Sequence, residues 1–432
     1  MKLNHGRAGV FLAIAAAMAW HSPNASAADL HIGSDTIIRR FERDTKTRGN
    51  LKMIPAYEYL QLDYGNLKTP GLSLHAYGWG RVNLGDEDDY LKGDTEGQLI
   101  YAYLQYTPPS GDYLVRAGRQ YVFEGVANES IDGVYGKTDL IPTVTLSAYA
   151  GYPVSLDTVE GHRGDRIYGG RISHHHTGLY DLGASYKFIA NNSTRDKEFF
   201  AGDFSVSLPW NISLMGRSTL NLVSGSWGEH FYEARIPYGP VEFRPFYQYF
   251  RYEDFFGTGA GSANPFRFLA GTGNKITVAG TEAYWYPNEH LEMGLRFKHY
   301  DYEQRFGDAR YYTLLAVWKR KVLSEVGFEF GRMDGKAPEN RYYLGRAYFF
   351  WNLPPGFVTG DLQYVDYDKQ IYRKGSSFFS SFGLGRQFLD DTLKIKLSLD
   401  YSNDPYFRKD YRGMLSASYL FDAVVKGLPG FR

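Results

Sequence analysis

Three consecutive histidines at residues 174–176 are the side chains whose type most directly suggests metal chemistry. Zinc, however, is held by several ligands arranged around one ion. Successive side chains of a strand point to opposite faces, so a regular strand cannot bring all three to one ion, although a turn could bring two. Thr177 and Gly178 are typical of a turn. We therefore expect a hydrated turn here, with no resident metal or other cofactor.

A run of acidic residues is the second group that could do chemistry, and it comprises Asp86, Glu87, Asp88 and Asp89. Carboxylate oxygens are ligands that calcium prefers in proteins. The run lacks the spaced pattern of an EF-hand loop. We expect a solvated loop outside the cell, with a calcium site as the alternative.

No recognisable catalytic set is present. The chain has no cysteine, which excludes disulfides, thiolate catalysis and covalent haem attachment to this polypeptide. Neither a serine nucleophile elbow nor a phosphate-binding glycine loop is evident. We predict that the chain is not an enzyme, with a hydrolase assembled across several strands as the alternative. The balance of 48 basic and 48 acidic residues argues against binding to nucleic acid.

Charged residues recur at every second position of several short segments. In residues 392–401, Lys394, Lys396 and Asp400 alternate with leucine, isoleucine and tyrosine. This period of two predicts a strand. Charges on one face and hydrocarbon on the other fit a wall with water inside and lipid outside. The predicted lumen-lining residues are Glu292, Arg296, Lys298, Glu325, Glu329, Lys394, Lys396 and Asp400.

Arginines occupy many of the predicted strands, among them Arg81, Arg171, Arg217 and Arg346. A ladder of arginines opposed by carboxylates could select small anions or polar solutes, as rings of charge do in pores. Alternatively, the arginines solvate and brace the inner wall. The sequence leaves both interpretations open.

The beginning of the chain predicts export. Lys2 and Arg7 form a positive region, residues 8–20 an apolar stretch too short to span a bilayer, and residues 25–27 a small-residue cleavage site. We predict a secretory signal peptide at residues 1–27, one barrel domain at residues 28–421 and a periplasmic tail at residues 422–432.

Turn signals divide the predicted domain into about 22 strands, and boundary errors of a few residues leave counts down to about 16 open. Short turns alternate with longer polar loops, and an even number of strands puts both termini in the periplasm. Aromatic residues near strand ends, such as Trp79, Trp285 and Trp351, suit girdles at the lipid–water interfaces. The predicted fold is all-β: a transmembrane, antiparallel, up-and-down β-barrel with no plug domain.

The last predicted strand carries a resemblance. Its outer face, formed by Gly413, Leu415, Ala417, Tyr419 and Phe421, resembles the C-terminal insertion signal of bacterial outer-membrane proteins, although eleven residues follow Phe421 here. From the signal peptide through the alternating strands, the chain resembles the Gram-negative outer-membrane porin-like β-barrel family.

This resemblance implies a location in the cell outer membrane among its lipids, and a homotrimer. It also implies an inward constriction formed by Arg116, Arg119 and Glu124, together with residues 122–130.

The predicted function is a porin-like channel for passage of small hydrophilic solutes across the outer membrane. Barrels of about 22 strands usually enclose a plug, and the sequence has no room for one. The alternative is therefore a barrel sheath that encloses a periplasmic or lumenal protein partner. Such a partner could be a multihaem c-type cytochrome in an extracellular electron-transfer conduit.

Overall fold

The computed structural model describes residues 27–45, 49–67, 69–86, 95–154, 165–256, 275–302, 307–320, 324–405 and 409–426. The strands are β1 (Ala27–Thr45), β2 (Gly49–Met53), β3 (Pro55–Tyr64), β4 (Leu72–Asn83), β5 (Thr95–Tyr106), β6 (Tyr113–Glu124), β7 (Ala127–Ile141), β8 (Val144–Pro153), β9 (Arg166–His176), β10 (Tyr180–Asn191), β11 (Thr194–Leu208), β12 (Ile212–Asn221), β13 (Ser226–Tyr238), β14 (Val241–Arg251), β15 (Lys275–Asn288), β16 (Leu291–Tyr302), β17 (Gly307–Arg320), β18 (Ser324–Gly335), β19 (Arg341–Leu353), β20 (Gly356–Ile371), β21 (Lys374–Phe388), β22 (Leu393–Asn403) and β23 (Asp410–Lys426).

Helical structure among the described residues is limited to three short segments. They are the helix α1 (Tyr252–Phe256) and two 3-10 turns at Pro209–Asn211 and Pro338–Asn340. No described helix has the length and apolar character needed to cross a lipid bilayer.

The sheet closes on itself through its first and last strands. β1 pairs antiparallel with β23 from Ala27 opposite Lys426 to Arg40 opposite Gly413. On its other side β1 pairs with β3 and, further along, with β2. β2 and β3 pair one after the other with the same side of β1, so together they fill a single strand position. The barrel wall therefore has 22 strand positions, which we call staves. The predicted all-β, antiparallel, up-and-down barrel is confirmed.

The connections differ between the two ends of the barrel. One end, which we call the terminal end, carries both described ends of the chain and short turns such as residues 142–143, 239–240 and 354–355. The opposite end, the loop end, carries the longer connections at residues 84–94, 154–165 and 252–274. β23 continues to Lys426, past the Phe421 at which the sequence pattern ends the barrel.

The barrel is apolar outside and polar inside. Outward side chains such as Leu295 (61% exposed) and Phe328 (58%) form an apolar belt, whereas inward Thr313 and Ser398 are buried. Large aromatic and β-branched residues fit a pleated wall of this kind. This inverted polarity suits a barrel with lipid outside and water inside.

Aromatic residues lie at the terminal end of the outer face. The rings of Trp318 and Trp351 stack with centroids 6.2 Å apart, and Trp285 is 46% exposed nearby along the wall. These positions agree with an interfacial girdle. The girdle prediction is wrong for Trp79, because it shares the inner face with buried Arg81 and packs 6.1 Å from the Tyr57 ring.

Candidate functional site

The predicted lumen-lining residues lie on the inner face of the wall. Because strand alternation puts successive side chains on opposite faces, these side chains lie on the face opposite the exposed outer belt. The set comprises Glu292, Arg296 and Lys298 on β16, Glu325 and Glu329 on β18, and Lys394, Lys396 and Asp400 on β22. Their part in solute passage stays a prediction.

Inner charges form ion pairs that join different staves of the wall. Arg296 lies 3.7 Å from Glu282 and 4.0 Å from Glu329, and it also donates to the Tyr284 hydroxyl at 3.2 Å. Lys319 reaches Glu292 at 2.5 Å. Because each charge has an opposite partner, this part of the wall is braced and has little unpaired charge.

One hairpin leaves the wall at the loop end. β6 pairs with β7 as far as Glu124 opposite Ala127. β5, however, pairs with β6 only from Tyr106 opposite Val115 to Ala102 opposite Arg119. Residues 120–131, which we call the hairpin tip, therefore lie beyond the end of the β5 pairing.

Glycines stand where the hairpin bends. Gly118 has φ +127° and pairs with Gly133 of the neighbouring strand. A Cβ at Gly118 would lie 2.4 Å from the Ala102 carbonyl oxygen, and a Cβ at Gly133 would lie 2.1 Å from the Ala150 carbonyl oxygen. Only glycine allows this dihedral angle together with such close backbone approach.

Beyond the bend, the hairpin tip contacts the inner face of a distant stave. The Val126 amide donates to Ser185 Oγ at 2.9 Å, and Lys187 Nζ lies 2.7 Å from Glu129 Oε1. Ser185 and Lys187 belong to β10, which is separated from β7 by β8 and β9. The tip therefore crosses the inner face of two staves and lies inside the barrel.

An apolar cluster lies beneath the hairpin tip. Its buried members are Val122, Ala127, Ile131, Tyr135, Tyr149, Ile167 and Ile189. These side chains point toward the lumen side of the wall, where the barrel is otherwise polar. Burying an aliphatic side chain of this size contributes roughly 1.5–3 kcal/mol. The cluster therefore stabilises the inward position of the tip.

The opposite face of the hairpin tip is open to the lumen. Phe123 is 73% exposed and Tyr121 is 51% exposed, and Asn128 is also exposed. Elsewhere an exposed phenylalanine of this barrel belongs to the outer belt. At the tip, the bend turns the side of β6 that carries Tyr121 and Phe123 away from the outer face and toward the lumen.

The three residues predicted to form a constriction occupy different surroundings. Arg116 lies on the inner wall between the Tyr103 and Tyr135 rings, 5.3 and 5.6 Å from their centroids. Glu124, on the tip, accepts a 2.5 Å hydrogen bond from the Tyr135 hydroxyl. Whether these residues limit passage stays a prediction.

Arg119 is held at the base of the hairpin. Its guanidinium binds both carboxylate oxygens of Asp132 at 2.8 Å and donates to the Leu99 carbonyl oxygen at 3.2 Å. That carbonyl stands just past the point where β5 stops pairing with β6. Arg119 therefore closes the gap that the departing hairpin leaves.

The contacts that hold the tip were missed by sequence reasoning. Ser185 and Lys187 lie more than fifty residues from the tip, and no local pattern connects them to it. Gly118, Gly125 and Gly133 were available as a signal, because glycines within and between two predicted strands indicate a bend.

The other predicted residues are placed as follows. Gly413, Leu415, Ala417, Tyr419 and Phe421 form the outward row of β23, beside β1. Their part in insertion stays a prediction.

The histidines of residues 174–176 end β9 before a turn. Within the described ranges, no group of three or more His, Asp or Glu side chains could hold a metal ion. In the acidic run, Asp86 accepts from the Lys52 amide at 2.8 Å, while the other three residues lie outside the described part.

Comparisons with known proteins concern the fold alone. No protein-family model and no curated protein matches the sequence. A chain of the E. coli P pilus tip assembly intermediate PapC-PapD-PapK-PapG is similar with a TM-score of 0.54 and 9% identity, over 95% of this chain and 64% of that chain. Acinetobacter baumannii OccAB2 has a TM-score of 0.47 and 11% identity, over 91% of this chain and 98% of that chain. Pseudomonas aeruginosa OpdQ has a TM-score of 0.43 and 9% identity, over 92% and 97%.

Proposed function

We propose that the chain is an outer-membrane channel for small hydrophilic solutes, with its lumen narrowed by its own β6–β7 hairpin. The apolar belt would face lipid and the charged inner wall would face water. The termini would lie in the periplasm and the loop end outside the cell. A homotrimer is part of the same proposal.

The observation that carries this proposal is the hairpin tip inside the barrel. A lumen enclosed by 22 staves is wide enough to weaken the membrane as a barrier unless something fills part of it. The tip extends inward from β6 and β7 to Ser185 and Lys187 of β10. It would reduce the open cross-section without closing it.

The same observation disfavours the sheath. A cytochrome or other protein inside the barrel would have to share the lumen with the hairpin tip, or displace it. Displacement would expose the apolar cluster that contains Val122, Ile131 and Ile189 and would break the Glu129–Lys187 ion pair. The channel therefore requires no rearrangement, whereas the sheath does.

Conductance of the purified chain tests the proposal. Reconstitution in planar lipid bilayers should give discrete ohmic current steps, and proteoliposomes should swell in solutions of small sugars. Absence of current steps, with a haem-bearing protein retained during purification from native membranes, would contradict the channel and favour the sheath.

A further inference from the structure

Five tyrosines form a continuous row on the inner wall near the hairpin base. The row, which we call the tyrosine strip, comprises Tyr57 and Tyr59 on β3, Tyr77 on β4, and Tyr101 and Tyr103 on β5. Successive ring centroids lie 6.3, 6.3, 5.5 and 5.6 Å apart. On β5 the outward Leu104, 46% exposed, directly follows Tyr103, so the strip faces the lumen.

The hydroxyls of the tyrosine strip are available to a ligand. Among the residues that the structure describes, none of the five has a hydrogen-bond partner, and none is a buried unpaired atom. Two other tyrosines of the wall are engaged: Tyr135 donates to Glu124, and Tyr186 donates to Glu198. Each free phenol can both donate and accept.

Charged groups of both signs lie beside the strip: Arg39 is 5.9 Å from the Tyr57 ring centroid, Arg116 is 5.3 Å from the Tyr103 ring centroid, and Asp35 stands opposite Tyr59 in the β1–β3 pairing. His75 Nδ1 lies 2.5 Å from Asp63, and Arg116 donates to Gln105 at 2.8 Å. The strip itself therefore offers aromatic faces and neutral hydrogen-bonding groups, with charges at its margin. A neutral polar solute needs no counter-charge and can use the rings and the phenols together.

We propose that the tyrosine strip binds neutral saccharides on their way through the lumen, an inference that rests on the proposed channel function. Aromatic faces can pack against the C–H faces of pyranose rings, while the phenols exchange hydrogen bonds with sugar hydroxyls. The ring spacing is comparable to that of successive units in an oligosaccharide chain. The strip thus assigns a class of solute to the channel.

The strip also leads toward the hairpin. Arg116 stacks on Tyr103 at its end and on Tyr135 of β7, and Tyr135 binds Glu124 of the hairpin tip. A saccharide on the strip would lie beside the tip, where the lumen is narrowed. Binding there would interrupt ion flow, which makes it measurable electrically.

Current block by maltohexaose tests the inference. The full chain is reconstituted in planar bilayers and maltohexaose is titrated on either side. We expect reversible, concentration-dependent interruptions, with an apparent Kd raised about 2- to 10-fold in Tyr77→Phe and in Tyr101→Phe, the effect of losing one hydrogen bond. Tyr364→Phe on the outer face, 49% exposed, is the matched control and should leave Kd unchanged.

The possible results separate this inference from the proposed function. Normal conductance without block by maltohexaose, or equal block in the wild type and both lumen variants, overturns saccharide binding and leaves the channel intact. Absence of conductance overturns the channel. Saturation-transfer NMR of maltohexaose with the detergent-solubilised chain then decides: transfer weakened by Tyr77→Phe supports binding at the strip, and no transfer overturns it.

Discussion

Phe123 illustrates how the same residue type acquires a different role from its place in the fold. On the outer belt, an exposed phenylalanine faces hydrocarbon. On the inward-folded tip, Phe123 faces the lumen with 73% of its surface exposed. It makes a large apolar obstacle in a polar passage and contributes little to packing.

Phe123→Ala should therefore enlarge the passage at small cost in stability. Substitution of a side chain this exposed changes the free energy of unfolding by within about 0.5 kcal/mol. Single-channel conductance should rise, and the urea midpoint should stay constant. Tyr238→Ala is the control, because Tyr238 is 78% exposed at the terminal-end turn and should not affect conductance. Equal conductance of wild type and Phe123→Ala would contradict the lumenal position of this ring.

The ion pair between Glu129 and Lys187 should hold the hairpin tip against β10. A hydrogen bond to a charged group contributes about 1.5–3 kcal/mol. Glu129→Lys should place two lysines together and loosen the tip, giving a larger and noisier current. Adding Lys187→Glu to the same chain should restore quiet, wild-type steps, and failure of this charge exchange to restore them would contradict the direct contact.

At the level of single residues, the sequence predicts which face of the wall a side chain occupies better than it predicts which residues that side chain contacts. Lys396 and Leu397 fall on opposite faces because adjacent strand residues must do so. The part of Arg119 in a constriction stays a prediction, whereas its contacts with Asp132 and the Leu99 carbonyl at the hairpin base were not predicted. These contacts depend on where β5 stops pairing with β6, which no local sequence pattern indicates.

The element that sets this barrel apart is the bent β6–β7 hairpin. Its bend depends on Gly118, whose φ is +127° and where a Cβ would lie only 2.4 Å from the Ala102 carbonyl oxygen. Neighbouring staves remain paired below the bend. The lower part of the hairpin therefore belongs to the wall, and its tip lies in the lumen.

Gly118→Val should destabilise the barrel or force the hairpin out of its bend. A non-glycine residue in such a backbone conformation costs about 1–3 kcal/mol, to which the close contact adds. We expect a lower urea midpoint and a changed conductance. Gly345→Ala provides the control, because a Cβ there has no neighbouring atom within 4 Å. A wild-type midpoint and conductance in Gly118→Val would refute the proposed bend.

The strands could be predicted from the sequence because lipid on one face and water on the other require apolar and polar residues to alternate along a strand. The inward hairpin tip was implied only by resemblance, and its apolar face explains why. Val122, Ala127 and Ile131 are apolar residues on a side of the wall that is otherwise polar, and they pack against Tyr149, Ile167 and Ile189 inside. Only the paired strands β6 to β10, with the hairpin bent over them, bring these residues together.

As a whole molecule, the barrel has 22 staves and no plug domain, so its lumen is wide unless something fills part of it. The chain itself fills part of it, since the hairpin tip crosses the inner face toward β10. Closure by β1 and β23 gives the wall no free edge, which suits a barrel stabilised without disulfides. The wide wall and the internal hairpin together form a narrowed passage.

Replacing residues 120–131 by a two-residue Asn-Gly turn tests this account most directly, because it removes the hairpin tip and leaves β6 and β7 paired below it. The measurement is single-channel conductance in planar bilayers, with circular dichroism to establish that the barrel remains folded. We predict ohmic steps for the wild type and clearly larger steps for the folded variant. A folded variant whose conductance equals that of the wild type, or a wild type that does not conduct, would contradict a lumen narrowed by its own hairpin.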